Sequence, residues 1–331
     1  MTRLRRADLN APGWTRRRRG RGWSYADHQG EPITGPAALE RIRALAIPPA
    51  WREVWICPWA NGHIQAVGTD AAGRRQYLYH PQWRRRRDRL KHDKVLAVAQ
   101  RLPAARRRVA ADLRLDGMPR EKVLALSFRL LDLALFRIGT ERYERRDGSH
   151  GLATLLRTQV RVPPPVDGES EGRVRFQYPA KSGQVRDVVV EDEDVAALAR
   201  ALVRRKDDSP ELLAWLDDGT WRRVSSADVV VYVKERLGDD ASPKDFRTWH
   251  ATVAAARGLA AAGPAPRSAR ARRQVQSRVV TDVALQLGNT PSVCRASYID
   301  PRVFDLWERG EAITPSRSSA VAERRTIALL S

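Results

Sequence analysis

The chain has 331 residues, with 60 Lys and Arg against 39 Asp and Glu and a net charge of +21. That length allows two domains and a sizeable core, and the excess, mostly arginine, calls for a polyanionic partner: DNA, RNA or an anionic membrane. No apolar run is long enough to cross a bilayer, and the basic start (Arg3, Arg5, Arg6) has no apolar segment behind it; Cys57 and Cys294, with six scattered histidines, give neither a disulfide framework nor metal-ligand spacing. The expectation is a cytoplasmic chain in a reducing compartment, with no membrane contact, structural metal or cofactor.

Residues 1–35 are polar, with consecutive arginines at 16–19. They read as a flexible arm whose guanidiniums meet phosphates, or as a disordered tail. Residues 36–46 suit a short helix with proline in its first turn, stopped by Ile47-Pro48-Pro49. Short apolar pieces at 54–56, 63–67 and 76–79, punctuated by Asn61-Gly62 and Ala72-Gly73, read as hairpin-linked strands. Residues 1–88 are therefore expected to form a small β-rich domain. Alternation in Gln76-Tyr77-Leu78-Tyr79 puts the two tyrosines on one face. Beside the basic run 84–87 that face suits a DNA groove; the plain alternative is a half-buried strand with tyrosines at its margin.

From 89 to 331 the pattern is mainly helical. A charged stretch over 84–106 carries a helical piece at 91–102 and suits a domain junction. Residues 121–136 are so densely apolar that they predict a helix buried on most sides. Arg137 follows directly, either complementing that helix's dipole or held rigid and aimed at an anion. Residues 162–172 form a Pro-rich acidic loop, and strands at 174–178 and 185–190 flank the turn Ala180-Lys181-Ser182-Gly183-Gln184. Lys181 on such a tip is ordinarily a solvated lysine. Two helical segments follow, with 215–221 as a turn between them and Ser226 capping the second, which Gly238 closes. Ser242-Pro243 starts a helix with Asp245 in its first turn, on which Arg247, His250, Ala251 and Ala254 share a face. The small alanines put Arg247 in a crevice; a buried Arg–Asp pair is the alternative. A basic loop is expected at 263–273 and a tail at 311–331. Between them Val275, Val279, Val283 and Leu287 mark one helix face, Gly288 fits a left-handed cap, and Thr290-Pro291 opens a short helix ending near Tyr298. By itself Tyr298 could be a buried tyrosine with a satisfied hydroxyl.

The stretch Gly288 to Tyr298, G-N-T-P-S-V-C-R-A-S-Y, resembles the active-site segment of type IB DNA topoisomerases, in particular the poxvirus-like and bacterial branch. In that family a G-H-T-P-S…Y segment carries the tyrosine nucleophile, with the polar residue nine positions before it, as Asn289 is here. Many members carry histidine at that position; some bacterial members carry asparagine. Four further segments resemble the family's in the same order. Gln76-Tyr77-Leu78-Tyr79 is similar to a base-touching Q-Y-x-Y. Arg137-Ile138-Gly139 with Tyr143 and Gly151-Leu152 matches R-x-G-x-x-x-Y. The hairpin tip with Lys181 lies where the family places its general-acid lysine. Lys244-Asp245-Phe246-Arg247-Thr248 resembles K-D-L-R-T, whose arginine contacts the scissile phosphate.

The resemblance implies Tyr298 as nucleophile, Arg137, Arg247 and Asn289 on the phosphate and Lys181 as general acid. It implies DNA contacts from Gln76, Tyr77, Tyr79 and Tyr143, with Arg142 beside the last. The implied fold is α+β, a small β-rich N-terminal domain and a larger, mainly helical catalytic domain with a β-hairpin, closing as a C-shaped clamp on duplex DNA. The implied activity is supercoil relaxation by a nucleoid-associated monomer without ATP or metal. A tyrosine recombinase shares a looser L-G-H…Y segment, but its H-x-x-R box would need histidine where Lys244 stands. A noncatalytic binder would explain the charge but not the set Arg137, Lys181, Arg247 and Tyr298.

Overall fold

The computed structural model describes residues 3–141, 144–145, 148–164 and 172–331. The architecture is α+β, with a β-rich N-terminal region and a helical body. The chain divides into two compact units, residues 1–91 and 92–331, with the division inside one helix.

The first unit is a five-stranded antiparallel sheet in the order β2-β1-β3-β4-β5. Its strands are β1 (Trp14–Arg19), β2 (Gly22–Ala26), β3 (Arg52–Ile56), β4 (Ile64–Thr69) and β5 (Arg75–Tyr79). Helix α1 (Pro36–Ala44) covers part of it, burying Ile42 against Val54, Ile56 and Ala66. The arginine-rich start is thus not an arm or a tail. β1 and β2 pair from Thr15–Ala26 to Arg19–Gly22, turning at Gly20, whose φ of +57° suits glycine. Arg16 takes an inward position. Its guanidinium donates to the carbonyls of Ile47 (3.2 Å), Pro48 (3.1 Å) and Trp51 (2.8 Å) and lies 4.0 Å over the Trp23 ring. At least one of the four consecutive arginines therefore serves the fold.

Helix α2 (Pro81–Asp112) is longer than the piece expected at 91–102 and runs through Pro103. Its inward stripe of Val95, Val98, Leu102 and Val109 joins the core of the second unit. Helix α3 (Arg120–Ala134) is the centre of that core, with Val123, Leu126, Phe128, Leu130 and Leu131 all buried. Phe128 meets Phe246 edge-on at 4.9 Å; truncating such a ring costs about 3–5 kcal/mol. Three strands, β6 (Val160–Arg161), β7 (Arg173–Pro179) and β8 (Val185–Glu191), form an antiparallel sheet against it.

Helix α4 (Glu193–Arg204) follows, and the expected turn at 215–221 is instead a hairpin of β9 (Ala214–Asp217) and β10 (Thr220–Arg223). Helix α5 (Ser226–Leu237) is capped by Ser225 rather than Ser226: the Ser225 hydroxyl accepts from the Asp228 N–H. Helices α6 (Pro243–Ala261), α7 (Ala269–Leu287), α8 (Pro291–Ser297) and α9 (Arg302–Glu308) complete the body. α7 starts inside the expected 263–273 loop, because Ser268 supplies the N-cap.

The expected tail contains helix α10 (Ser319–Leu330), which buries Ala322, Thr326 and Leu330. Its Glu323 meets Arg106 of α2 at 2.9 Å. Arg106 also meets Asp132 of α3 at 2.7 Å, and Asp132 accepts from His250 of α6 at 2.8 Å. One ionic cluster thereby ties four helices. Burial alone would raise the Asp132 pKa; hydrogen bonds from His250 and Arg106 hold it well below the usual carboxylate range. No helix is long and apolar enough to cross a membrane among the described residues.

Candidate active site

Helix α3 ends at Leu135 in a left-handed conformation (φ 56°, ψ 35°), uncommon for a residue with a side chain. That turn aims the Leu135 carbonyl at α6, where it accepts a hydrogen bond from Arg247. Two residues later Arg137 leaves the core. Its backbone is fixed from both sides: Leu152 N–H donates to the Arg137 carbonyl at 2.9 Å and Ala153 N–H to Ile138 at 2.8 Å. The glycines of this motif are a packing requirement. A Cβ on Gly151 would lie 2.5 Å from the Gly139 backbone, and Gly139 has φ +71°. Phe136 meets Phe176 edge-on at 5.2 Å and stacks on Tyr178 at 5.5 Å, anchoring the segment on the sheet.

Arg247 lies in the second turn of α6, which starts at a capping box. The Asp245 carboxylate accepts from the Ser242 N–H at 2.7 Å and its hydroxyl at 2.8 Å, and pairs with Lys94 at 2.8 Å. Arg247 is only 3% exposed. It is not in an Arg–Asp pair: besides Leu135 it donates to the Leu287 carbonyl at 2.8 Å. Burial, with the like charge of Arg137, pulls its pKa down to about 10, leaving it a cation at neutral pH.

Gly288 ends α7 in a left-handed cap (φ 60°, ψ 51°). Thr290 N-caps α8, its hydroxyl accepting from Val293 N–H, and Pro291 is the first helical residue. Between the helices, Arg137 donates to the Gly288 carbonyl at 3.0 Å and to the Asn289 side-chain oxygen. Since the guanidinium can only donate, Asn289 presents Oδ1 to it and its NH2 group elsewhere. That Nδ2 and the Nε of Arg247 are buried with no partner among the described residues.

Tyr298, half-buried, is the C-cap of α8. Its N–H donates to Cys294 at 3.0 Å, while Thr252 on α6 accepts from the Asp300 N–H at 3.0 Å, pinning the segment just beyond. Arg247 lies 5.3 Å and Lys244 5.5 Å from the Tyr298 ring centre. Burial raises the hydroxyl's pKa. The charge and hydrogen bond of Arg247, then the charges of Lys244 and Arg137, outweigh it and hold Tyr298 below its ordinary value.

The structure thus brings together Arg137, Arg247, Asn289 and Tyr298, from the ends of α3 and α7, the start of α6 and the end of α8. It adds two cations that the sequence reading left aside: Lys244, weighed only as a missing histidine, and Arg186 on β8. Lys181 sits in a single 3-10 turn at the β7–β8 tip, exposed, and none of the hydrogen bonds joining the other four involves it. In the first unit Tyr77 and Tyr79 are exposed on one face of β5 and stack at 6.1 Å. Gln76 is turned to the other side and donates to Asp70 at 2.9 Å. Arg142 and Tyr143 lie outside the described residues.

These elements fall where sequence comparison finds an established family. Residues 80–311 match the family model for the eukaryotic DNA topoisomerase I catalytic core, and residues 22–70 that for the bacterial DNA topoisomerase IB N-terminal domain. The chain belongs to the type IB DNA topoisomerases. The DNA topoisomerase 1B of Acanthamoeba polyphaga mimivirus is 26% identical over 290 residues, spanning 86% of this chain and 83% of the viral protein. This topoisomerase is an isomerase acting on DNA, and a recombinase reading has no support in the strand-rich first unit.

Proposed function

We propose that Tyr298 is the nucleophile with which this topoisomerase cleaves one DNA strand. Its hydroxyl gives up its proton to solvent, the phenolate oxygen attacks the scissile phosphorus, the bond from phosphorus to the 5′-oxygen breaks, and that oxygen departs with a proton from Lys181. The products are a 3′-phosphotyrosine link and a free 5′-hydroxyl. The nicked duplex swivels; the 5′-hydroxyl then attacks the phosphotyrosine, returning its proton to Lys181, resealing the strand and releasing Tyr298 as the phenolate. Each step exchanges one phosphoester bond for another, so no ATP is consumed.

A single observation supports this best: two buried, unpaired N–H donors, on Arg247 and Asn289, beside a tyrosine whose hydroxyl three cations favour as phenolate. A phosphodiester repels nucleophiles, and its pentavalent transition state gathers charge on the nonbridging oxygens. Donors left without protein partners can bond those oxygens without giving up a protein hydrogen bond. Arg137 supplies a further guanidinium, oriented by Gly288 and Asn289.

DNA contacts from Tyr77 and Tyr79 in the groove, and from Arg142 and Tyr143, belong to the same proposal; Gln76, on the other side of β5, does not join them. Closure of the N-terminal and catalytic domains around the duplex as a C-shaped clamp by a monomer also belongs to the proposal.

The test is relaxation of a supercoiled plasmid in EDTA without ATP, wild type beside Tyr298→Phe, with denaturing electrophoresis for a covalent protein–DNA adduct. Relaxation and adduct from wild type alone are expected. Relaxation by both proteins would place the nucleophile elsewhere.

A further inference from the structure

The hairpin that carries Lys181 has two tethers to the catalytic centre, one on each strand. On β7, the Pro179 carbonyl accepts from the His150 N–H at 2.8 Å, next to Gly151 of the Arg137 motif. On β8 the tether is Arg186. It pairs across the ladder with Tyr178, one rung below the last pair, Pro179–Val185. Its guanidinium donates to the carbonyls of Gln286 at 2.9 Å and Leu285 at 3.5 Å. Those are carbonyls at the C-terminal end of α7, where the helix dipole favours a cation. The guanidinium rests on Gly288: a Cβ there would come within 2.5 Å of its Nη1 and 2.9 Å of Cδ. Gly288 is also the residue whose carbonyl receives Arg137 and whose neighbour is Asn289. No carboxylate among the described residues pairs with it.

We propose that Arg186 is a positioning residue: it docks the Lys181 hairpin onto the α7–α8 turn, so that the proton donor stands over the scissile bond held by Arg137, Arg247 and Asn289. The inference rests on Lys181 being the general acid. Lys181 itself is exposed and makes none of the contacts that join the other site residues, so its placement has to come from the strands below it. Of the two tethers, the one on β8 is a side chain and can be removed by one substitution.

The experiment separates positioning of the acid from binding of the phosphate. Arg186→Met keeps the aliphatic packing over Gly288 and removes the donors; Arg186→Ala is its companion. Single-turnover cleavage is measured on two duplexes, one with the natural 5′-oxygen at the scissile link and one with sulfur in its place. A departing thiolate is a far weaker base than an alkoxide and needs no protonation, whereas an alkoxide does. Displacing the acid by about 1 Å is expected to slow cleavage of the natural link about 100-fold. The sulfur link should be cut within about 3-fold of the wild-type rate, as a group needed only for the proton predicts. Lys181→Ala is run alongside, and the double variant Arg186→Met/Lys181→Ala should be no slower than Lys181→Ala alone, because a residue acting through Lys181 has nothing left to act on.

Equal losses for Arg186→Met on both links, or a double variant much slower than Lys181→Ala, would overturn the proposal and make Arg186 a phosphate or folding residue. Wild-type rates for both Arg186 variants would overturn it too. If Lys181→Ala is slow on both links, the general-acid reading has failed, and the proposal with it. If Lys181→Ala is rescued by sulfur and Arg186→Met is not, only the positioning role has failed.

Discussion

Asn289 offers the sharpest test of how the phosphate is held, because its two side-chain atoms do different work. Oδ1 accepts from Arg137, and Nδ2 is buried without a partner. Asn289→Ala removes both. Arg137 keeps its bond to the Gly288 carbonyl, so the main loss is one donor to an anionic transition state. A hydrogen bond to a charged group contributes about 1.5–3 kcal/mol, or about 10- to 150-fold in the cleavage rate at 1.36 kcal/mol per tenfold. Asn289→Asp keeps the acceptor, and strengthens it, but replaces the donor by a negative charge facing the phosphate. It should therefore be worse than Ala, by at least another factor of about 10. Asn289→His restores the pattern, since a neutral imidazole accepts through one nitrogen and donates through the other; it should match or exceed the wild type. The assay is single-turnover cleavage of a duplex whose short downstream strand dissociates once cut, with adduct quantified on denaturing gels. An Asp variant as fast as wild type would mean that Asn289 serves only to orient Arg137. An unaffected Ala variant would remove Asn289 from the site.

Lys244→Met should shift the rising limb of the cleavage rate against pH to higher pH. Lys244 helps hold the Tyr298 hydroxyl below its ordinary value, so its loss raises that pKa; an unmoved limb would leave Lys244 out of the site. Gly288→Ala forces a side chain into a left-handed turn, about 1 kcal/mol, and pushes on Arg186; cleavage should fall at least 10-fold while the melting temperature drops only a few degrees, and an unchanged rate would mean that this turn tolerates displacement. Arg106→Met strands the carboxylates of Asp132 and Glu323, whose side chains are 2% and 10% exposed. It should cost about 3–5 kcal/mol in urea unfolding at pH 7. The folded pKa of Asp132 is depressed, so its contribution is fully present above the unfolded value near ~3.9 and is lost as the pH falls below it. The penalty should therefore shrink in acid; a pH-independent penalty would mean that lost packing, not stranded charge, is responsible.

What the sequence disclosed was local chemistry. Gly288 as cap, Thr290-Pro291 as N-terminus and Asp245 in a first helical turn are each set by the backbone needs of one helix end. They place Asn289, Tyr298 and Arg247 to within a turn, while the roles expected of those residues came from the family resemblance. Lys244 lies one turn before Arg247 on the same helix, but only the fold shows it beside the Tyr298 ring, and Arg186 reaches the site only through tertiary packing. The β1–β2 hairpin was hidden for a related reason: its inward position at 16 is filled by an arginine that donates to carbonyls, so the alternation of apolar and polar residues that marks a strand is missing. Helix α10 was hidden because its anchor is Glu323, whose value depends on Arg106, 217 positions away.

In a chain so rich in arginine, the partners of each guanidinium say more than its presence. Arg106 is neutralised by two carboxylates and has no charge to spare for a ligand. Arg101 and Arg223, which keep buried N–H groups unpaired, face Asp240 and Glu211. Arg16 and Arg41 bond mainly to carbonyls, but neither keeps such a group unpaired. Arg247 alone among the described residues combines the two conditions: carbonyl oxygens and the Tyr298 hydroxyl, but no carboxylate, accept from it, so its charge is not cancelled, and one buried N–H is left over. The carbonyls come from Leu135 and Leu287, at the ends of the two helices that lead to Arg137 and to Asn289. The same helix ends thus fix the cation, orient its neighbours and leave its charge uncancelled, which is the arrangement a site needs to bind an anion more tightly as it gains charge in the transition state.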